Sequence, residues 1–108
     1  MRGGGQARRY GNAAEAFVLS KLQEEHPCSA FFPLQQDAPA DIVELVDTGV
    51  WVLYEVKSSK TRRRALSAPL SEPEKEAMAL WGPSGRYIVI RVQRLSNYEF
   101  EVVRRDGA

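Results

Sequence analysis

The sequence predicts one small α/β domain, a mixed β-sheet flanked by helices in the order αβββαββ. Three observations carry that expectation: a helical stripe between Tyr10 and Glu25, two apolar strands joined through "DTG", and a capped helix near Ser71 followed by two more strands. With 108 residues, 44% hydrophobic and 27% charged, the chain has the size and composition of a globular domain with one modest core.

The opening "MRGGGQ" has no periodicity and reads as a flexible, basic and Gly-rich arm over residues 1–8, ahead of a single domain over 9–108. Its glycines follow no strand, so they are not a phosphate-binding fingerprint. From Tyr10, the residues Ala14, Phe17, Val18 and Leu22 share one helical stripe, and Pro27 stops the helix. Glu15 lies at the edge of that stripe and by helical geometry alone is a boundary residue. Lys21 also falls within the stripe, where its long stem can reach water.

"AFFPLQ", residues 30–35, reads as a short strand that Pro33 confines to an edge or bulge. "DIVELV" and "VWVLYEVK" form the strongest strand pair, with Gly49 where a three-residue loop calls for a left-handed backbone. Pairing Val46 with Val50 places Ile42 opposite Tyr54 and Asp41 opposite Glu55. Both faces of this hairpin are mostly apolar, so both are expected to be covered. In "SEPE", Ser71 caps a second helix, Pro73 sits in its first turn and Glu74 takes the capping-box place. The acidic first turn suits the helix dipole, a sufficient structural reason for those glutamates. Ala77, Met78, Leu80 and Trp81 supply its apolar side, "GPSG" ends it, and "RYIVIRV" and "YEFEVV" follow as strands.

No apolar run approaches the roughly 18 residues that span a bilayer, and the N-terminus lacks a signal-peptide core, so a cytoplasmic protein without membrane contact is expected. That location includes the nucleoid, or the cytoplasm of a phage host. The single cysteine, Cys28, and single histidine, His26, exclude a disulfide framework and a Cys/His zinc site within one chain. They also weaken any Ser-His or Cys-His nucleophile. Net charge is only +1, but basic residues gather at Arg2, Arg8 and Arg9, in "KSSKTRRR" from Lys57 to Arg64, and at Arg104 and Arg105. A basic loop is usually just a solvated loop; beside a reaction centre it gains meaning.

The chemistry concentrates in three charges set among strand residues. Glu55 and Lys57, two apart, share a face of their strand, about 6.5–7 Å apart along the backbone. Asp41 opposite Glu55 would bring two carboxylates within about 4.5–5.5 Å at Cβ, which destabilises the pair or forces one to hold a proton. A divalent cation resolves that conflict. Mg2+ in particular uses one or two carboxylates together with water and substrate phosphate. Lys57 beside it can orient or help deprotonate a water and stabilise charge growing on a phosphate.

"PAD" ending at Asp41, then a strand, a turn and "YEVKSSK", resembles the core of the PD-(D/E)XK nucleases, and "GNAAEAF" resembles their opening helix. In size and layout the chain is most similar to the archaeal-type Holliday junction resolvases. In this chain Ala40 directly precedes Asp41, with Pro39 one residue earlier. The resemblance runs from about Arg8 to Val92 and implies a restriction-endonuclease-like core. It implies Asp41 and Glu55 as metal ligands with the Val56 backbone carbonyl, Lys57 as catalytic lysine, and Glu15 as the helix carboxylate completing the metal or water network. Ser58 and Ser59 would contact phosphate or line the site, while Arg8, Arg9, Lys60, Arg62, Arg63 and Arg64 would grip the DNA backbone. Such phosphate contacts position a duplex without reading its sequence.

The expected function is therefore a Mg2+-dependent DNA endonuclease, with Mn2+ able to substitute, acting at Holliday or other branched junctions in recombination and repair. Paired cuts need two active sites, so a homodimer is expected, joined through the Trp81 helix or the last hairpin. Two alternatives share the same residues: a nuclease for another DNA substrate, and a nucleic-acid-binding module of this fold without the reaction.

Overall fold

The computed structural model describes the backbone of residues 2–46 and 49–107, with side chains from residue 12 onward. Its elements are α1 (Arg2–Glu25), β1 (Ala30–Pro33), β2 (Ile42–Leu45), β3 (Trp51–Ser59), α2 (Arg62–Ser67), α3 (Glu72–Trp81), β4 (Tyr87–Arg94) and β5 (Phe100–Asp106). The five strands form one mixed sheet in chain order, antiparallel except for the parallel pair β3–β4. A parallel neighbour cannot be reached by a tight turn. Residues 60–86 supply the crossover and carry both α2 and α3 across one face of the sheet.

Two apolar layers cover the sheet. On one side Val18 and Leu22 of α1 pack with Ile42, Tyr54, Ile90 and Val92; Leu22, Ile90 and Val92 are fully buried. On the other, Ala77 of α3 packs with Ala40, Tyr87 and Val89, and Trp81 meets Trp51 edge-on with centroids 5.2 Å apart. Alternation along β3 sends Tyr54 and Val56 to the α1 layer and leaves Leu53, Glu55 and Lys57 on the α3 side.

The hairpin register is as the sequence predicts: Ile42 pairs with Tyr54 and Leu45 with Trp51, and the Val46 N–H donates to Val50 O at 2.8 Å. Gly49 turns the loop at φ 78°, a conformation open to glycine without a Cβ clash; Asp47 and Thr48 lie outside the described residues. Pro33 ends β1 on the sheet edge. The capping box of α3 is complete, Ser71 Oγ accepting from the Glu74 N–H while Glu74 Oε1 accepts from the Ser71 N–H.

Three expectations are corrected. Arg62, Arg63 and Arg64 are not loop but the first turn of a separate helix, α2, whose Thr61 hydroxyl accepts from the Arg64 N–H at 3.2 Å. The order thus becomes αβββααββ. Three like charges mask helical periodicity, yet arginine is a good helix former and Thr61 a competent cap. Helical backbone begins at Arg2 instead of Tyr10; glycine weakens a helix by about 1 kcal/mol each but does not stop propagation from a packed stretch. The last strand runs Phe100–Asp106, with Tyr98 left in the preceding turn.

Candidate active site

Asp41 is fixed by its backbone before its side chain acts. Its carbonyl accepts from the Leu34 N–H and its own N–H donates to Tyr54 O, both at 2.8 Å, continuing the β1 and β3 pairings by one residue. Its Oδ2 then accepts from the Val56 N–H at 2.7 Å. The contact of Val56 with Asp41 is therefore through its amide. One residue before Ala40, the Pro39 carbonyl accepts from the hydroxyl of Tyr87, a fully buried side chain on β4. Tyr87→Phe is expected to lower stability by about 1 kcal/mol. It should also loosen the 39–41 segment, read as faster amide exchange at Asp41 with β3 unchanged.

Around Asp41 the structure brings together Glu15 from α1, Glu55 and Lys57 from β3, and Glu74 from α3. Burial pushes the Glu15 carboxyl up to about 7, helped by the Asp41 charge and by the hydrogen bond the protonated Glu15 gives to Asp41. Burial also raises Asp41, against the pull of the Val56 amide, Glu15 and Lys57. Glu55, only 6% exposed, is pushed up to about 8 by burial and by the charges of Asp41 and Glu74, with Lys57 opposing. The sequence-predicted quartet Glu15, Asp41, Glu55 and Lys57 thus shares one locality. Helix periodicity alone would have left Glu15 out.

Lys57 is held twice. Its Nζ lies 2.9 Å from Glu74 Oε1 and 3.4 Å from Glu55 Oε2. Burial would lower its pKa, but the two carboxylates more than offset that and raise it. Burial likewise works against charge on Glu74, but the hydrogen bonds it accepts from Lys57 and from the Ser71 amide outweigh it, leaving Glu74 below the ordinary carboxylate range. Glu74 is the member of this cluster that sequence reasoning missed. Its capping-box role accounts for it fully in the sequence, and only the packing of α3 against β3 reveals the same Oε1 on both Ser71 and Lys57.

The oxygen donors here are of the kind that a hard divalent cation takes. Among the described residues no group of three or more Asp, Glu, His or Cys side chains is placed to hold a metal ion; Mg2+ commonly binds through one or two carboxylates and keeps several waters. Burial raises the pKa of all three carboxyls, and the Asp41 charge adds to it for Glu15 and Glu55; protons held in this way are ones a cation can replace. Asp41 and Glu55 are the pair that would hold it, with Glu15 hydrogen-bonded behind Asp41.

Beyond Lys57 the chain stays polar: Ser58 is exposed, Ser59 half-buried and Lys60 exposed, and Arg62, Arg63 and Arg64 are all exposed on α2. Among the described residues these three arginines have no acidic partner, unlike Arg91, Arg104 and Arg105. Arg8 and Arg9 lie where side chains are outside the described residues. No helix among the described residues is long and apolar enough to cross a membrane. No family model, curated protein or solved structure matches the chain.

Proposed function

We propose that the chain is a Mg2+-dependent endonuclease that hydrolyses DNA phosphodiester bonds, with four-way or branched junctions as its substrate and a restriction-endonuclease-like core as its fold. The observation that carries this reading is the meeting of Asp41, Glu55 and Lys57 at one end of the β2–β3 hairpin, the positions that the PD-(D/E)XK pattern assigns, with Glu15 reaching them from α1. The parallel β3–β4 pair with its helical crossover supports the fold assignment.

Asp41 and Glu55 would hold the ion, with the Val56 carbonyl and Glu15 as further contributors. A metal bound there supplies charge stabilisation on the phosphate and a water acidified toward neutral pH. Lys57 would donate to a phosphate oxygen or to the attacking water, and Glu74 keeps its ammonium in place when Glu55 is otherwise engaged. Ser58, Ser59 and Lys60 continue β3 toward α2, whose exposed arginines suit the DNA backbone; Arg8 and Arg9 are assigned to the same role. A homodimer would give the two sites that paired cuts require.

Glu74→Gln tests the lysine anchor. Glutamine still serves the capping box, so the melting temperature should shift by only a few degrees. Single-turnover cleavage should fall about 10- to 100-fold, the size expected of a partner that orients a reacting group. The substrate assignment is tested with labelled four-way junction, linear duplex and single strand under Mg2+. Paired cuts restricted to the junction support the resolvase reading. Equal cutting of linear duplex would leave a nuclease of another specificity, and tight binding without cutting would leave a binding module.

A further inference from the structure

The segment that carries the exposed arginines of α2 is fastened to the sheet by side chains of β4 and β5. Arg91 of β4, only 7% exposed, directs its Nη1 to two carbonyls at the C-terminal end of α2, Ala65 O at 3.0 Å and Ala68 O at 2.7 Å. Its Nε donates to Asp106 Oδ2 at 2.9 Å, and Arg104 Nε reaches Asp106 Oδ1 at 2.7 Å. Arg104 Nη2 donates to Leu66 O at 3.4 Å, and Gln93 Nε2 donates to Lys60 O at 3.2 Å. Four carbonyls between Lys60 and Ala68 are thus held by three side chains from β4 and β5.

A six-residue helix is too short to be stable on propensity alone. Alanine at 65 is its only buried side chain, so apolar packing holds it weakly. A guanidinium under its last turn satisfies orphan carbonyls and opposes the dipole at that end. Arg91 also pairs in register with Lys57 across the parallel β3–β4 ladder. One rung of the ladder therefore carries both the lysine and the seat of the basic helix.

Resting on the nuclease reading, we propose that Arg91, seconded by Gln93 and Arg104, is a positioning residue that sets the offset between the phosphate-gripping arginines of α2 and the Lys57 site, and so selects which phosphodiester is cut. Arg91 itself is buried beneath α2 and touches no substrate. If the offset is fixed by this clamp, loosening it changes where the strand is cut as well as how fast. A residue with only a structural role would reduce the amount of active protein and leave the cut position alone.

The experiment uses the intact chain as wild type, Arg91→Lys and Gln93→Ala. Gln93 is half-buried and uncharged, so its variant keeps the comparison available should Arg91→Lys fold poorly. Amide hydrogen exchange is measured first, then DNA binding in chelator across a salt series, then cleavage mapped at nucleotide resolution with Mg2+. In Arg91→Lys, amides of 64–68 should exchange at least about tenfold faster with those of β3 unchanged, and the salt slope of binding should fall by about one phosphate contact. Cuts should spread to neighbouring phosphates with a 10- to 100-fold lower kcat, the effect of misplacing a substrate by about 1 Å. Gln93→Ala should move each readout the same way by less. Unchanged exchange at 64–68, or looser α2 with unchanged salt slope and cut positions in both variants, would overturn the proposal while leaving the nuclease reading intact. A wild type that neither binds nor cuts DNA would overturn that reading and the positioning role with it.

Discussion

Glu55→Gln is expected to give a folded, DNA-binding protein that no longer cuts, and one more stable than wild type at pH 8 and above. Loss of a metal ligand should reduce cleavage by more than about 100-fold, beyond what outer partners alone contribute. Stability should move the other way. Glu55 is 6% exposed, and burial with the charges of Asp41 and Glu74 pushes its pKa up to about 8, so its ionised form is disfavoured in the folded state. Glutamine matches the neutral form in shape and carries no charge. Lys57 is not orphaned by the change, because Glu74 remains 2.9 Å away. The gain should be about 1–3 kcal/mol in chelator at pH 9, read as a higher melting temperature. Unchanged cleavage in Glu55→Gln would remove Glu55 from the chemistry. A large fall in stability would mean that the Lys57–Glu55 ion pair, not a cation site, is its purpose.

Wild type without divalent metal should lose stability as pH rises from about 5 to about 9. Glu15 and Glu55 have folded pKa values of about 7 and about 8, against an ordinary 4.5. For acids raised in this way, the folded state binds more protons than the unfolded state between those limits. Their contribution is fully present below about 4.5 and is lost as pH climbs through 7 and 8. With water reaching Glu15 more readily than Glu55, the loss should be on the order of 2–4 kcal/mol. Mg2+ should reverse it, because the ion takes carboxylates only when protons leave. Its stabilising effect should therefore be larger at pH 8.5 than at pH 6. Glu15→Gln and Glu55→Gln should each flatten the pH slope; thermal melts across pH, with and without Mg2+, measure both effects. A stability independent of pH over this range would show that the carboxyls are not in conflict.

The central hairpin and its charges were legible because the rules that govern them are local. Gly49 fixes the turn, a period of two fixes the faces, and Asp41 meets Glu55 as a result. The capping box of α3 was legible for the same reason, since its partners are three residues apart. What could not be read is non-local. Glu74 meets Lys57 only because α3 crosses the sheet between two parallel strands, and no spacing in the sequence encodes that crossover. Arg91 resembles any polar residue interrupting a strand until its partners, Ala65, Ala68 and Asp106, are placed beneath and beside it. Glu15 sits between these cases. Its helix face was correct from periodicity, but its contact with Asp41 depends on where α1 lies across the sheet.

The most direct test of the account is single-turnover cleavage of a labelled four-way DNA junction by the wild-type chain, in Mg2+ and in chelator, beside Glu55→Gln. Paired cuts near the branch point that require Mg2+ and vanish in the variant are the predicted result. Junction binding with no cutting in Mg2+, or cutting that persists in chelator, would contradict a metal-dependent nuclease built on Asp41, Glu55 and Lys57.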